Sequence, residues 1–360
     1  MRRNLTVLAV FAMLFLMSGN LFAQSEATAE FLMIAPGARA GGMGETGVAL
    51  ANDAYATYWN PAGLGKLRGK EFSGMHSNWL PQFQLGDMYY DFASYIQHFE
   101  DIGTFGASVI FLSLGEQAWT DEDGNFLGTF DSYNFSISAS YGTELSENLS
   151  VGTSFKFIYM KLTDVSVGAQ ETDGTGSSVA VDLGLLWRPS WLNKMTVGVN
   201  LQNLGPKITF VDAAQADPIP SNLKLGFAYK AMEQEHNELT FTLDVNKLLV
   251  RKQFNAADST HTSDAFYKAL FTSWTDGGLS YQIKRMNIAA GAEYTYNEMF
   301  MLRTGYFYED IGKRRFATFG AGIRYNIYQF DFSYIYTTGD DEHPLADTIR
   351  FSLSFILGSR

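Results

Sequence analysis

The residues of this chain best suited to proton transfer or metal ligation are its five histidines, His76, His98, His236, His261 and His343, and their spacing serves neither purpose. None belongs to an HExxH pair, and no cysteine is present to complete a zinc site. No GxSxG sets a serine nucleophile on a strand-to-helix turn. Gly41-Gly42-Met43-Gly44 lacks the Lys-Ser/Thr of a phosphate loop and the strand that would precede it. Asp121-Glu122-Asp123-Gly124-Asn125 begins like a calcium loop, but Ser132 stands where the closing Glu belongs, so a solvated acidic turn is the better reading. The expectation is a non-enzymatic protein with no cofactor and no metal.

Two other residue sets could do physical work. The first is a series of charges embedded in strand-like segments: Lys156, Asp182, Lys224, Asp244, Glu293, Arg303, Arg324, Asp331 and Arg350. The second is a group of large apolar residues between those segments: Trp79, Phe83, Trp119, Phe126, Phe210, Tyr267, Phe271 and Trp274. Exposed apolar patches mark interaction sites, so the second set reads either as a lid packed on itself or as a docking surface for a protein or greasy ligand. Tyr267, Leu270, Phe271 and Trp274 have helical spacing after Ser263-Asp264 and before Gly277-Gly278, which predicts a short amphipathic helix.

The elements that carry both sets alternate apolar and polar residues with period two, the signature of half-buried strands. Tyr133, Phe135, Ile137, Ala139 and Tyr141 share one face, with Asn134, Ser136, Ser138, Ser140 and Gly142 on the other. The last strand repeats this, with Ile349, Phe351, Leu353, Phe355 and Leu357 opposite Arg350, Ser352 and Ser354. Counting from residue 70 gives about fourteen strands, each near the ~9–11 residues that cross a bilayer.

The connections alternate. Short ones fall at 98–103, 144–149, 187–194, 229–237, 296–299 and 327–329. Long ones fall at 77–85, 114–132, 162–177, 202–222, 246–287, 308–315 and 337–347. A soluble sandwich gives no reason for this parity, whereas outer-membrane barrels have short periplasmic turns and long outer loops. The polar face must then be the lumen, because a basic residue facing lipid near the midplane costs ~2–4 kcal/mol. The lumen charges read first as a structural network.

Composition and the N-terminus agree. Arg2 and Arg3, an apolar run over 5–17 and Leu21-Phe22-Ala23 have the three regions of a cleavable secretory signal over 1–23, with Gln24 as the mature start. Losing that leader takes the net charge from −12 to −14, a poor balance for binding nucleic acid. The absence of cysteine excludes both a lipoprotein and a disulfide framework. Residues 35–65, rich in Gly and Ala and ending in Asn60-Pro61-Ala62-Gly63, precede the first strand. A fourteen-stranded lumen must be filled or left leaky, so residues 24–69 are the candidate plug, inserted from the periplasmic end, and 70–360 the barrel.

Tyr58-Trp59-Asn60-Pro61-Ala62-Gly63 resembles the Asn-Pro-Ala hatch signature of the FadL-type outer-membrane transporters, which implies a fourteen-stranded barrel with an N-terminal plug. Further segments resemble the PorV branch of the PorV/PorQ family. They include Asn203-Leu204-Gly205-Pro206-Lys207-Ile208, Ile219-Pro220-Ser221-Asn222-Leu223, Asp244-Val245-Asn246-Lys247-Leu248-Leu249 and Pro344-Leu345-Ala346-Asp347-Thr348-Ile349. The chain departs from that pattern after Leu249, where Val250-Arg251-Lys252 replaces a Val-Pro-Thr-like continuation. The resemblance implies an outer-membrane protein of the type IX secretion system in a Gram-negative cell. Its partners would be the translocon, the C-terminal signal domains of secreted cargo, the surface sortase or attachment complex, and outer-membrane lipid. The wider FadL-type group implies an alternative, a transporter of long-chain fatty acids or other hydrophobic solutes.

Overall fold

The computed structural model describes residues 27–358 apart from 84–85, 122, 164–173, 211–215, 256–259, 276–277 and 338–343; the expected leader, 1–23, lies outside them. Fourteen antiparallel strands close into a barrel. In chain order they are β1 (Lys70–Asn78), β2 (Met88–Phe99), β3 (Gly103–Thr120), β4 (Phe126–Ser146), β5 (Leu149–Lys161), β6 (Thr175–Trp187), β7 (Met195–Leu204), β8 (Asn222–Glu233) and β9 (Asn237–Leu248). A small hairpin, β10 (Lys252–Asn255) and β11 (Thr260–Ser263), stands apart from the wall. The wall resumes with β12 (Met286–Tyr296), β13 (Phe300–Tyr308), β14 (Arg315–Tyr325), β15 (Tyr328–Thr337) and β16 (Ile349–Leu357). Pairing of β1 with β16, from Lys70↔Leu357 to His76↔Phe351, completes the ring.

The period-two pattern produces two unlike faces. On β4 the serines at 136, 138 and 140 are buried inward while Ile137 is half exposed outward. Inward hydroxyls bridge neighbouring strands, as between Ser140 and Ser154 (2.7 Å) and between Ser73 and Ser354 (2.7 Å). No described helix is long and apolar enough to cross a membrane.

The expected uniform strand length does not hold. β3 has 18 residues and β4 has 21, longer than a bilayer requires. Pairing of β3 with β2 stops at Leu114↔Met88, and pairing of β4 with β5 stops at Tyr133↔Lys161. Above those points Glu116–Thr120 and Phe126–Asp131 continue as a two-stranded ribbon. Trp119 and Phe126, expected in an irregular loop, are therefore strand residues. β14 also ends earlier than the alternation suggested: the turn is Asn326-Ile327, and Asn326 takes a left-handed φ of 53° that Asn tolerates well.

The loop between β9 and β12 contains more structure than expected. A helix does form at Phe266–Thr272, but its N-cap is Ala265 rather than Ser263 or Asp264. A second helix, Gly278–Lys284, and the β10–β11 hairpin have no counterpart in the periodicity. Asp264 braces the first helix from the side: its carboxylate accepts from the Thr272 hydroxyl (2.6 Å) and pairs with Lys268 (3.0 Å). The Thr272 hydrogen bond leads in holding its carboxyl below the usual carboxylate range.

Candidate functional site: a filled lumen beneath apolar outer loops

Residues 27–69 run through the barrel interior. They form short helical turns at Glu30–Met33, Ala38–Gly41, Ala56–Trp59 and Pro61–Lys66. Almost every side chain is buried; Ala38, Val48, Ala54, Ala62 and Leu64 are 0% exposed. The segment reaches further than an inner-end stopper would. Thr28 N–H donates to Pro218 O of the outer loop between β7 and β8 (2.9 Å), while Lys66 and Arg68 pair with Glu144 beside the β4–β5 turn.

Short helical turns leave backbone donors unpaired, and the wall supplies acceptors for them. Ala38 N–H donates to Ser352 Oγ (2.8 Å), and Gly44 N–H to Thr318 Oγ1 (2.7 Å). Asp244 Oδ2 accepts from both Gly47 N–H (2.8 Å) and Val48 N–H (3.0 Å). Asn60 accounts for the hatch-like motif. Its Oδ1 caps Ala62 N–H (3.1 Å), and its Nδ2 donates to Val48 O and Leu185 O (3.1 Å each). Pro61 follows at the first helical position, where a missing N–H costs nothing.

Charges fasten the same contact. Arg39 forks onto Glu293 (2.9 and 2.7 Å) and also meets Asp53 (3.0 Å). Arg303 donates to the same Glu293 (2.6 Å) and to Asp331 (2.6 Å), which also accepts from Gln329 (2.8 Å). Arg350 pairs with Glu45 (2.5 Å), and Lys156 with Asp182 (2.7 Å). Lys224 Nζ lies over the rings of Tyr58 (4.6 Å) and Trp59 (5.0 Å). Every one of the expected lumen charges lies on the inward register; Arg324 is half-buried at the turn end of β14 and outside the Glu293 cluster.

Shape completes the fit. Gly142 and Gly152 face Pro61, Gly184 faces Asn60, Gly198 and Gly226 face Val48, and Gly291 and Gly305 face Met43. A Cβ at any of these wall positions would overlap the inner segment, so glycine is needed for close approach. Arg39, Glu45, Asp53, Asn200 and Gln202 join this contact without any local sequence signal that marks them as partners. The wall glycines had a readable signal, recurrence on the polar face of successive strands.

The outer apolar residues divide into two groups. Trp79 packs against the core 6.4 Å from Tyr90, and Phe210 packs there above the buried Ile208 and Ile219. These two roof the inner segment. Phe83 (56% exposed), Phe126 (66%), Tyr267 (65%) and Phe271 (77%) instead face solvent, with Trp119 and Trp274 about two-fifths exposed. Lys247 holds the helical loop in place, with Nζ over the Trp274 ring (4.7 Å) and bonded to Gln282 (2.6 Å).

Among the described residues the other candidate chemistry does not assemble. Asp121 closes its own turn by accepting from Asn125 Nδ2 (2.9 Å), Asn125 N–H (2.8 Å) and Asp123 N–H (3.0 Å), and the Asn125 bonds lead in lowering its pKa. His76 bonds Asp91, His98 meets Thr104 and His236 sits on a turn; His343 lies outside the described residues. Among the described residues no three His, Asp or Glu side chains gather as a metal site.

A closed fourteen-stranded barrel with this outward apolar wall and filled lumen is a β-barrel of the outer-membrane class. Its fold is similar to the Ralstonia pickettii toluene transporter TbuX, with TM-score 0.52 and 15% identity over 90% of this chain and 98% of that one. It is also similar to the Pseudomonas putida toluene transporter TodX, with TM-score 0.52 and 11% identity over 89% and 100% of the two chains. A deltaS2S3 mutant of the TodX monoaromatic hydrocarbon channel gives 0.55 and 14% over 89% and 98%. No curated protein sequence matches the chain. Residues 23–254, well over half its length, match the family described as type IX secretion system protein PorV, and the chain belongs to that family.

Proposed function

We propose that this protein is a cargo carrier of the type IX secretion system: its outer loops receive the C-terminal signal domain of secreted proteins at the translocon and deliver it to the surface attachment complex. The observation that carries the reading is where the apolar surface lies. Residues 27–69 act as a plug, fixed by hydrogen bonds, ion pairs and glycine contacts on many strands. The aromatic side chains left facing solvent stand outside, on the β3–β4 ribbon and the two loop helices.

The ribbon suits a β-rich guest. Asp87 Oδ2 accepts from Glu116 N–H (2.8 Å) and guards the β3 edge. Residues 126–131 of β4 have no strand partner on their other side among the described residues, and an open edge pairs readily with extended chain. One interior cavity bears on the solute-uptake alternative. The cavity beside Arg39, Met43 and Trp59 measures about 20 Å³, room for a single water rather than a hydrocarbon.

The test is capture from native outer membranes by the tagged protein. Replacing Phe126, Phe271 and Trp274 together by Ala should lower recovery of cargo C-terminal domains at least ~10-fold, as loss of interface anchors does, with heat-modifiability unchanged. Undiminished recovery would remove the loops from the mechanism. Uptake of a long-chain fatty acid by vesicles carrying this protein alone would favour the transporter reading instead.

A further inference from the structure

The membrane-facing wall is not uniform. On β4, β5 and β6 its outward positions carry large side chains such as Ile137, Phe157, Val179 and Leu183. Across β3, β2, β1, β16, β15 and β14, six adjacent strands, the wall is indented by a trough of about 870 Å³. The outward residues of its floor are Gly74, Ala93 and Ala321, and Phe72, Phe330 and Phe351 rise around them, each about half exposed. The trough is open along its length, and the medium against it is bilayer.

At its outer end the trough meets a polar pair. His76 and Asp91 are directly opposed across β1 and β2, both point away from the lumen, and His76 Nδ1 lies 2.7 Å from Asp91 Oδ1. Their side chains are 56% and 43% exposed. A belt of rings fixes their height: His76 to Tyr89 (5.9 Å), Tyr89 to Phe111 (5.9 Å), Phe111 to Tyr133 (5.8 Å) and Tyr133 to Tyr159 (6.2 Å). Such girdles mark the level of lipid headgroups. The contact engages one oxygen of Asp91 and one ring nitrogen of His76, so Asp91 Oδ2 and His76 Nε2 take no part in it. A protonated imidazole that donates to Asp91 also donates through Nε2.

We propose that this wall binds one glycerophospholipid with an amine-bearing headgroup, its acyl chains in the trough, its phosphate accepting from His76 and its ammonium donating to Asp91. With His76 protonated, the pairing is of opposite dipoles: a cation and an anion side by side on the protein meet a phosphate and an ammonium side by side on the lipid. An anionic headgroup without the amine would face Asp91 uncompensated where the dielectric is low. The apolar floor selects chain length and the pair selects the head.

The protein, delipidated in detergent, would be exposed to mixed vesicles of equal dioleoyl phosphatidylethanolamine and dioleoyl phosphatidylglycerol, and retained lipid counted by native mass spectrometry. The expected result is one retained lipid per barrel, with the ethanolamine form favoured ~5-fold or more, a difference of about 1 kcal/mol. Asp91→Asn should bring that ratio to about one, because it removes the ammonium acceptor. Ala93→Phe should fill the floor and lower retention of both lipids ~10-fold, whereas Val179→Phe on the far wall should leave it unchanged. All variants must keep heat-modifiable migration. Equal retention of the two lipids by the unaltered protein, or equal retention by Ala93→Phe and Val179→Phe, overturns the proposal; retention of detergent alone does so as well.

Discussion

The lumen and the outer loops of this barrel treat similar residues in opposite ways. Inside, Tyr58 and Trp59 are almost wholly buried, and the Trp59 indole N–H donates to Pro36 O (3.2 Å). Outside, Phe126, Tyr267 and Phe271 lie in water at a cost of apolar surface that a monomer has no reason to bear. The interior is specified many times over, by an ion cluster, by backbone donors matched to wall acceptors and by glycines that admit the segment. The exterior is left unsatisfied. A rigid base beneath an unsatisfied rim suits the proposed carrier role, in which the bilayer would stay sealed while the rim gains and loses a guest.

That contrast can be broken most severely from inside. In Gly305→Val the new side chain would overlap the Met43 backbone, so the cost should exceed the ~1–3 kcal/mol of ordinary core overpacking. The expected outcome is a barrel that loses heat-modifiable migration or conducts ions through a displaced segment, read by gel shift and planar-bilayer current. The outer loops need not be touched for this to happen.

A smaller break is electrostatic. Glu293 is shared by Arg39 and Arg303, so Glu293→Gln leaves two buried guanidiniums short of an anion. Removing one partner from a buried ion pair costs ~3–5 kcal/mol, and a fall of that size should appear as a lower urea midpoint for unfolding in detergent. Adding Arg303→Met should deepen the loss, because buried Asp331 then loses the guanidinium that pairs with it.

The sharpest comparison lies within the apolar outer set. Trp79→Ala should cost stability, ~2–3 kcal/mol for a partly buried tryptophan, because the ring packs over the core beside Tyr90. Phe271→Ala should change stability by no more than ~0.5 kcal/mol, since most of its ring is in solvent. Cargo capture should follow the reverse order. Equal effects of the two substitutions on both readouts would erase the distinction between roof and docking surface.

The strands were legible because period two is enforced by the pleat itself: a side chain on the wrong face would meet lipid with a charge or the packed lumen with a phenyl ring. Lys156, Asp182, Asp244, Glu293, Arg303, Asp331 and Arg350 could therefore be placed inward from spacing alone. Their partners could not. Arg39 and Glu293 are 254 residues apart, and no local pattern says which lumen charge a given arginine will meet. Trp79 and Phe126 illustrate the same limit outside. Both are aromatic residues past the end of a strand's paired region, yet one folds down onto the core and the other rides a ribbon that outruns its neighbours.

By itself the sequence determined the class of wall, the inward register of its charges, the short-and-long parity of its connections and the small-residue character of the segment before β1. Each of these is set by interactions between near neighbours or by the medium a side chain must face. Only the tertiary structure decided how far the N-terminal segment reaches, which wall glycines receive it, which aromatics remain in water and where the membrane face is hollowed beside His76 and Asp91. Those features arise where strands distant in the chain are brought side by side by barrel closure, and closure is a property of all fourteen strands together.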